Sequence, residues 1–320
     1  MSSRIQYEPM SAKQILNPVS AASMPFSWSI NPYRGCQHGC SFCYARSTHS
    51  FLGVQADDSF QNHIFVKENA AEVLEKQLAA HARSRKGLKG LGSIAIGTAT
   101  DPYQPVEAKA KLTRQMLELL AQYRVSASIT TRSPLILRDL DILRRIPGLT
   151  VNISINTLNT KVWKQTEPAT PFPIKRLETV RELVGNGIDA GIFAAPLLPY
   201  LTDSEEELER LLSTAARYRP QFVVPSFLRL STSEVKSWFF LMLEEHFPEL
   251  LQRYAKLYAR SGTAEHSYRD QAMRRVQRLM QRYGLTARFR REPEAGSAED
   301  GAGAKAAETR TEPVQLSFPI

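Results

Sequence analysis

Six short apolar runs rich in β-branched residues punctuate the chain, at residues 27–30, 93–97, 126–131, 150–155, 190–195 and 222–227. Each has the length and composition of a buried strand. Between them, residues 70–83, 109–123, 137–145, 173–185 and 203–217 carry apolar positions at the spacing of an amphipathic helix. Such alternation predicts parallel strands joined by crossover helices, since a parallel neighbour is reached only by returning the chain to the starting edge of the sheet. The expected fold class is α/β, an open partial (β/α)6 barrel. Asp203 before Glu205, Glu206 and Glu207 reads as a helix start, the aspartate capping free amides and the acids facing the positive end of the dipole.

Past the last run the pattern becomes helical. Residues 233–258 carry Trp238, Phe239, Phe240, Leu243 and Phe247, which suit a buried helical face. Residues 292–320 open on EPEAGSAEDGAGAK, a composition that cannot bury enough apolar surface to offset its ordering entropy, although the closing VQLSFPI could dock on the body or on a partner. The expected division is therefore an irregular N-terminal arm at 1–25, a barrel core at 26–232, a basic helical extension at 233–291 and a flexible tail at 292–320. The N-terminus lacks the apolar stretch of a signal peptide, and the longest apolar run, 191–201, is too short and proline-broken to span a bilayer. With 42% hydrophobic and 23% charged residues the chain reads as globular, with a cytoplasmic location expected.

All three cysteines fall within eight residues, Cys36, Cys40 and Cys43, in the run NPYRGCQHGCSFCYAR at 31–46. An odd number of thiols cannot pair off as disulfides, and crowding of this kind points to a soft metal. A four-coordinate zinc site would need a fourth ligand, which His38 or His49 could supply. An iron–sulfur cluster usually takes four cysteines, so a three-cysteine loop leaves one iron open to a substrate or cofactor. The loop follows the first expected strand and would sit at the barrel mouth, where functional loops leave the carboxyl ends of the strands. Later strands end there in TATDPYQP (98–105), TTRSP (130–134), SINT (154–157) and PLLPYLTD (196–203). Strand-end Thr, Ser and Asn also commonly satisfy loop backbone groups. Their convergence on one rim makes them candidates to hold a cofactor.

The cysteine spacing, with Phe42 as the aromatic before the last cysteine, resembles the cluster motif of radical S-adenosylmethionine (SAM) enzymes. With TDPYQP (100–105), SINT (154–157) and Glu167-Pro168, it resembles the spore photoproduct lyase-like, DNA repair photolyase-related branch of that superfamily, over residues 26–230. The resemblance implies that Cys36, Cys40 and Cys43 ligate a 4Fe–4S cluster whose fourth iron chelates the amino and carboxylate groups of SAM. It further implies a donor such as flavodoxin or ferredoxin, and cleavage of the sulfonium to a 5'-deoxyadenosyl radical that removes a hydrogen atom from the substrate. By position along the fold it places Thr98, Thr100 and Asp101 at the methionine end of SAM, Thr131 and Arg132 nearby, Ser154 and Asn156 at the ribose or carboxylate, and the backbone of Tyr44 at adenine. Arg132 suits a carboxylate because guanidinium forms charge-assisted pairs, a solvated arginine being the alternative.

One departure limits what the resemblance carries. Spore photoproduct lyases place a hydrogen-donor cysteine just after the second strand, where this chain reads Thr98-Ala-Thr-Asp101, and no cysteine remains outside the cluster motif. A threonine O–H is too strong a bond to quench a carbon radical as a thiol does. The pair of tyrosines expected after the last cysteine is also incomplete, with Ala45 in second place. Tyr103 is a candidate hydrogen relay, or else an aromatic turn residue. The expectation is an enzyme other than a spore photoproduct lyase, acting on a different substrate.

Net charge is +9, and residues 268–291 hold eight arginines against Asp270 alone. With Tyr268, Tyr283 and Phe289 interleaved, this segment is a candidate nucleic-acid surface. A helix packing Met273, Val276, Leu279 and Met280 inward with its arginines in solvent is the other reading, and the two are compatible. The function classes that remain are a radical SAM enzyme on nucleic acid, one on a small molecule or peptide, and a zinc-stabilised nucleic-acid-binding protein.

Overall fold

The computed structural model describes residues 5–19, 24, 26–52 and 58–288, with no account of the side chains at 49–52. Its strands are β1 (Gln6–Met10), β2 (Asn17–Pro18), β3 (Trp28–Ile30), β4 (Tyr33–Arg34), β5 (His63–Lys67), β6 (Ile94–Ile96), β7 (Ala127–Thr131), β8 (Thr150–Ser154), β9 (Asp189–Leu197) and β10 (Val223–Phe227). Seven of them form one sheet in the order β10-β9-β8-β7-β6-β3-β2. Every pairing from β3 to β10 is parallel, and only β2 runs antiparallel at the edge. The six expected strands are thus the six parallel ones, in sequence order, as a partial barrel requires.

The helices are α1 (Ser59–Asn62), α2 (Ala70–Arg83), α3 (Glu107–Ala110), α4 (Leu112–Gln122), α5 (Leu140–Leu143), α6 (Thr160–Thr166), α7 (Pro173–Gly185), α8 (Glu205–Arg217), α9 (Ser233–His246), α10 (Leu251–Leu257) and α11 (His266–Arg282). Helices α2 and α7 match the periodicity to the residue, α7 opening on Pro173, whose missing N–H costs nothing there. Three expectations shift. The helix at 109–123 breaks at Lys111, whose φ is 53°, and the buried Glu107 carboxylate accepts the amides of Thr113 and Arg114 to start α4 afresh. The stretch at 137–145 instead opens earlier as a 3-10 turn at Pro134–Asp139, capped by Ser133, and only α5 is α-helical. Helix α8 is capped by Ser204, not Asp203, because both Asp203 oxygens are taken, by the Tyr200 amide and the Tyr268 hydroxyl.

The N-terminal segment is not the irregular arm expected. Strand β1 pairs in parallel with β5, β4 pairs antiparallel on its other side, and Ile15 and Leu16 are fully buried in the main core. Gln77 of α2 fixes them by accepting both of their amides, 2.9 Å each, so a segment without helical or strand periodicity is held by one side chain. The main core fills the space between the parallel sheet and its helices, including Val276, Leu279 and Met280 of α11. A second apolar cluster joins Phe239, Leu243, Tyr254 and Tyr258 of the C-terminal helices to Leu198, Cys40 and Phe42. Through it the extension packs on the cysteine loop. The proposed tail at 292–320 and the dock at 314–320 lie outside the described residues, as do Phe289, Arg290 and Arg291.

Candidate active site

The cysteine loop leaves the carboxyl end of β3 and is held in shape by its neighbours. Gly35 has a φ of 78°, and a Cβ there would lie 2.7 Å from the His63 carbonyl, so the turn admits only glycine. Thr100 donates to the Gly35 carbonyl at 2.6 Å. Gln104 accepts the Gln37 amide and Gln37 accepts the Val106 amide, each at 3.0 Å, which staples the loop to the segment after β6. Cys36 and Ser41 donate their amides to Phe60 and Thr166 carbonyls. Cys36 and Cys40 are buried and Cys43 is half-buried. Burial pushes the Cys40 and Cys43 thiols up, against the pull of Arg132 on both and of Arg46 on Cys43. A metal reverses that balance, since thiolate ligands form with loss of the proton.

Behind the loop lies a buried ion pair, His38 with Asp101 at 3.3 Å. Burial opposes the imidazolium, but the Asp101 and Cys36 charges win and bring its pKa up to about 9. Burial likewise opposes the Asp101 carboxylate, yet His38 and the donors Thr131 and the Arg132 amide hold it down to about 2. Asp101 accepts from Thr131 Oγ1 at 2.6 Å, from the Arg132 amide at 2.8 Å and from the Tyr103 amide at 2.9 Å. Thr100, Asp101 and Thr131, expected near the methionine end of SAM, also clamp the site, Thr100 through the Gly35 carbonyl and Asp101 through His38, Thr131 and two backbone amides. The Thr98 hydroxyl accepts from Asn31 at 2.9 Å, while its carbonyl accepts the Tyr44 hydroxyl. The Tyr44 carbonyl accepts from Ser47 Oγ.

Tyr103, the candidate hydrogen relay, is fully buried in the main core, and its hydroxyl donates to Asp139 at 3.1 Å within a network holding Arg114, Arg138 and Glu107. The aspartate-proline turn that positions its backbone directs its ring inward.

Arg132 sits beside the cysteine loop, its guanidinium 5.7 Å from the Phe42 ring centroid and its Nε donating to Glu167 at 2.8 Å. Glu167 is 1% exposed and also pairs with the fully buried Arg176 at 2.7 Å. Arg176 in turn donates to the Ser154 and Pro171 carbonyls and to Thr170. A chain of charge thus runs from the cysteine loop to the end of β8. Arg46 is fully buried between the rings of Trp238, 4.0 Å from its centroid, and Phe60 at 5.0 Å. The clamp residues Gln37 and Gln104, and the pair Arg46 and Arg176, went unassigned in the sequence. Gln37, Gln104 and Arg46 all lie inside the motif runs, which was the available signal.

Asn156 differs from every other rim candidate. It is 1% exposed, and neither its Oδ1 nor its Nδ2 has a partner among the described residues. A buried amide left unpaired at both ends costs about 1–3 kcal/mol, and such groups in native proteins usually mark an absent ligand or water. Ser154, two residues away, is 2% exposed. Among the described residues, no three His, Cys, Asp or Glu side chains converge closely enough to hold one metal ion. Three cysteines on one loop, with no fourth in the chain, and the unpaired amide fit a three-cysteine cluster with a polar cofactor beside it. His49, the other zinc candidate, has its side chain outside the described residues.

On the basic segment, Arg278 and Arg282 pair with Glu205 and Glu209 of α8, and Arg288 pairs with Asp189. Arg275 donates to the Asp203 carbonyl. Two of the five arginines of α11, Arg278 and Arg282, are thus neutralised within the chain.

The model of the Radical SAM superfamily matches residues 30–212. The chain belongs to the radical SAM superfamily. A curated but uncharacterized protein of Mycobacterium tuberculosis is 34% identical over 294 residues, covering 90% of this chain and 84% of that one. An uncharacterized protein of Methanocaldococcus jannaschii is 30% identical over 250 residues, 78% of this chain and 86% of that one. A Pseudomonas phage M6 protein named radical SAM Nalpha-GlyT isomerase is 23% identical over 275 residues, 83% of this chain and 54% of its own length. Among solved structures, a spore photoproduct lyase mutant with bound AdoMet and dinucleoside spore photoproduct superposes with a TM-score of 0.66 at 15% identity, covering 88% of this chain and 82% of that one. At that identity the likeness is one of fold. The protein is a radical SAM enzyme, and its superfamily uses an iron–sulfur cluster, SAM and a reductant. No described helix is long and apolar enough to cross a membrane.

Proposed function

We propose that Cys36, Cys40 and Cys43 hold a 4Fe–4S cluster, that SAM lies along the rim against Asn156 and Ser154, and that the substrate is a nucleic acid processed by a reaction other than spore photoproduct repair. The observation that carries this is the three-cysteine loop at the carboxyl end of the first parallel strand, with one unpaired buried amide on the same rim. When bound, the cluster and SAM supply a 5'-deoxyadenosyl radical that abstracts hydrogen. The chain's own groups position and exclude water. The Gly35 turn and the Thr100, Gln37 and Gln104 clamp keep three thiols on one loop. The fixed cations Arg132 and Arg46 oppose the negative charge that thiolates bring. Arg132 has only its Nε bonded to Glu167, so its remaining N–H groups suit a carboxylate. Two apolar clusters, one with Cys40 and Phe42 and a smaller one of Cys36, Ala45 and Phe60, shield the loop from solvent. A small acidic electron carrier of the flavodoxin or ferredoxin kind would deliver the electron.

Nucleic acid is favoured by the net charge of +9 and by the nucleoside ligand named in the structure of similar fold. The absence of a fourth cysteine favours chemistry that needs no thiol hydrogen donor. The test is 5'-deoxyadenosine formation by the anaerobically reconstituted enzyme with SAM and a strong reductant. Single-stranded oligonucleotides of mixed sequence should raise the yield several-fold over SAM alone. Stimulation by peptides or small metabolites but not by any oligonucleotide would end the nucleic-acid assignment. Repair of spore photoproduct at a rate matching SAM cleavage would end the departure from that reaction.

Asn156 gives a sharper check on the rim. Asn156→Leu removes an unpaired amide at nearly constant volume, so the cofactor-free protein should be unchanged or more stable by about 1 kcal/mol. SAM affinity, measured by equilibrium dialysis on the reconstituted protein, should fall at least tenfold. A variant that is destabilised and binds SAM normally would assign Asn156 a purely structural role.

A further inference from the structure

A cleft of about 580 Å³ opens between α10, α11 and the loop after β9. Its wall carries Tyr200, Arg253, Lys256, Tyr268 and Arg274. These cations differ from the rest of the basic segment. Arg278 and Arg282 face α8 and are paired to its acids, whereas Arg253, Lys256 and Arg274 are exposed and have no carboxylate within ion-pair distance among the described residues. Arg260 lines the adjoining hollow, extending the positive surface along the same side. Glu265 is the one acid on the cleft wall.

The aromatic residues are held in place. Tyr200 stands at a φ of 64°, fixed by its amide donating to Asp203 at 2.7 Å, and the Tyr268 hydroxyl donates to the same carboxylate at 2.7 Å. The two rings meet edge to face with centroids 5.2 Å apart. The Arg253 guanidinium lies over Tyr200 at 3.8 Å from the ring centroid, which leaves its N–H edge and its outer plane free. That combination accepts a phosphate on the edge and a base on the plane. Tyr200 follows β9 by three residues, at the strand end that faces the mouth, and it packs on the apolar cluster that contains Cys40 and Phe42. The cleft therefore adjoins the apolar cluster on which the cysteine loop also packs.

We propose that this cleft binds a single-stranded stretch of nucleic acid, with phosphates on Arg253, Lys256 and Arg274 and bases against the Arg253–Tyr200 stack and Tyr268. The inference rests on the nucleic-acid reading above and locates the track on the side where the chain leaves its own cations unneutralised, not along the α8-facing side of α11. An acidic protein is the competing occupant. Rigid tyrosines beside unpaired cations favour the nucleic acid, because an acidic surface needs charge but no stacking platform.

Fluorescence anisotropy of the full-length reconstituted protein with labelled dT20 tests it without reference to turnover. Lys256→Gln/Arg274→Gln removes two exposed cations that hold no other side chain, so the fold should be kept, as the melting curve checks. Affinity should fall about tenfold at moderate salt, and the slope of log K against log salt should shrink by about 1.4, the value for two phosphate contacts to a single strand. Arg278→Gln/Arg282→Gln, equal in charge lost but drawn from paired residues, should cost less than about threefold. Tyr268→Leu, which removes a stacking face and leaves charge alone, should weaken binding several-fold with the salt slope unchanged. Equal losses in the two arginine-containing pairs, or none in the cleft pair, would overturn the cleft. Competition by poly-glutamate as effective as by dT20 at matched charge would assign the surface to an acidic partner instead. If oligonucleotides stimulate 5'-deoxyadenosine formation while the cleft variants bind dT20 normally, the functional reading survives and only this placement fails.

Discussion

Cys40→Ala is expected to strip the protein of iron and of SAM cleavage together. Cys40 is 6% exposed and packs with Phe42 in the cluster that ties the extension to the loop. In the proposed cluster, loss of one of three thiolates would leave a second iron without a protein ligand, and the chain has no other cysteine to replace it. Iron in the reconstituted variant should drop from about four per chain to a small fraction of that. Formation of 5'-deoxyadenosine should become undetectable. The fold should persist, because exchanging a buried thiol for a methyl costs only about 1–2 kcal/mol. Iron and sulfide analysis beside a thermal melt separates the two effects. Full iron in the variant, or one zinc per chain in the wild type with no iron taken up, would overturn the ligand assignment.

Glu167→Ala is expected to be the most destabilising single change near the site that touches no cysteine. The carboxylate is buried between the half-buried Arg132 at 2.8 Å and the fully buried Arg176 at 2.7 Å. Burial raises its pKa, but the Arg176 and Arg132 charges prevail and hold it below the ordinary glutamate range. Removing it leaves Arg176, which has no exposure at all, with neutral acceptors only. Breaking a buried pair in this way costs about 3–5 kcal/mol, since the remaining charge cannot regain water. Chemical denaturation at neutral pH measures it. Because the carboxyl pKa is lowered on folding, its contribution is complete above the ordinary glutamate value and fades as the pH falls. The gap between wild type and variant should therefore narrow in acid. A difference below about 1 kcal/mol would mean that Arg132 and Arg176 find other partners or solvent.

Much of the scaffold was legible before any coordinates. Strand and helix periodicities are local properties, and α2 and α7 fall where the apolar spacing puts them. Where local signals failed, distant groups had intervened. Lys111 interrupts an apolar-periodic stretch because buried Glu107 caps a new helix there. Asp203 looks like a cap and is drawn away by Tyr268, 65 positions further on, so Ser204 takes the role. Residues 15 and 16 enter the core through Gln77, with no periodicity to announce it.

The candidate site divides along the same line. Cysteine spacing is a short-range fact, and three thiols on one loop followed from reading the chain. The duties of the polar rim did not. Thr100 and Asp101 share their motif with Tyr103, yet the first two clamp the loop and the third is core. Nothing in the motif distinguishes them, because each outcome depends on which acceptor another element brings to within hydrogen-bond distance.

By itself the sequence determined the α/β class, the six parallel strands and the placing of three thiols on one loop at 36–43, all set by spacing and hydrophobic period along a continuous stretch. Tertiary structure alone decided that Asn156 is left unpaired, that Glu167 joins Arg132 to Arg176, and that α11 turns its neutralised arginines to α8 while Arg274 faces the cleft. Hydrogen bonds and ion pairs act over about 3 Å, and the residues they join here, such as Arg288 and Asp189, lie up to 99 positions apart.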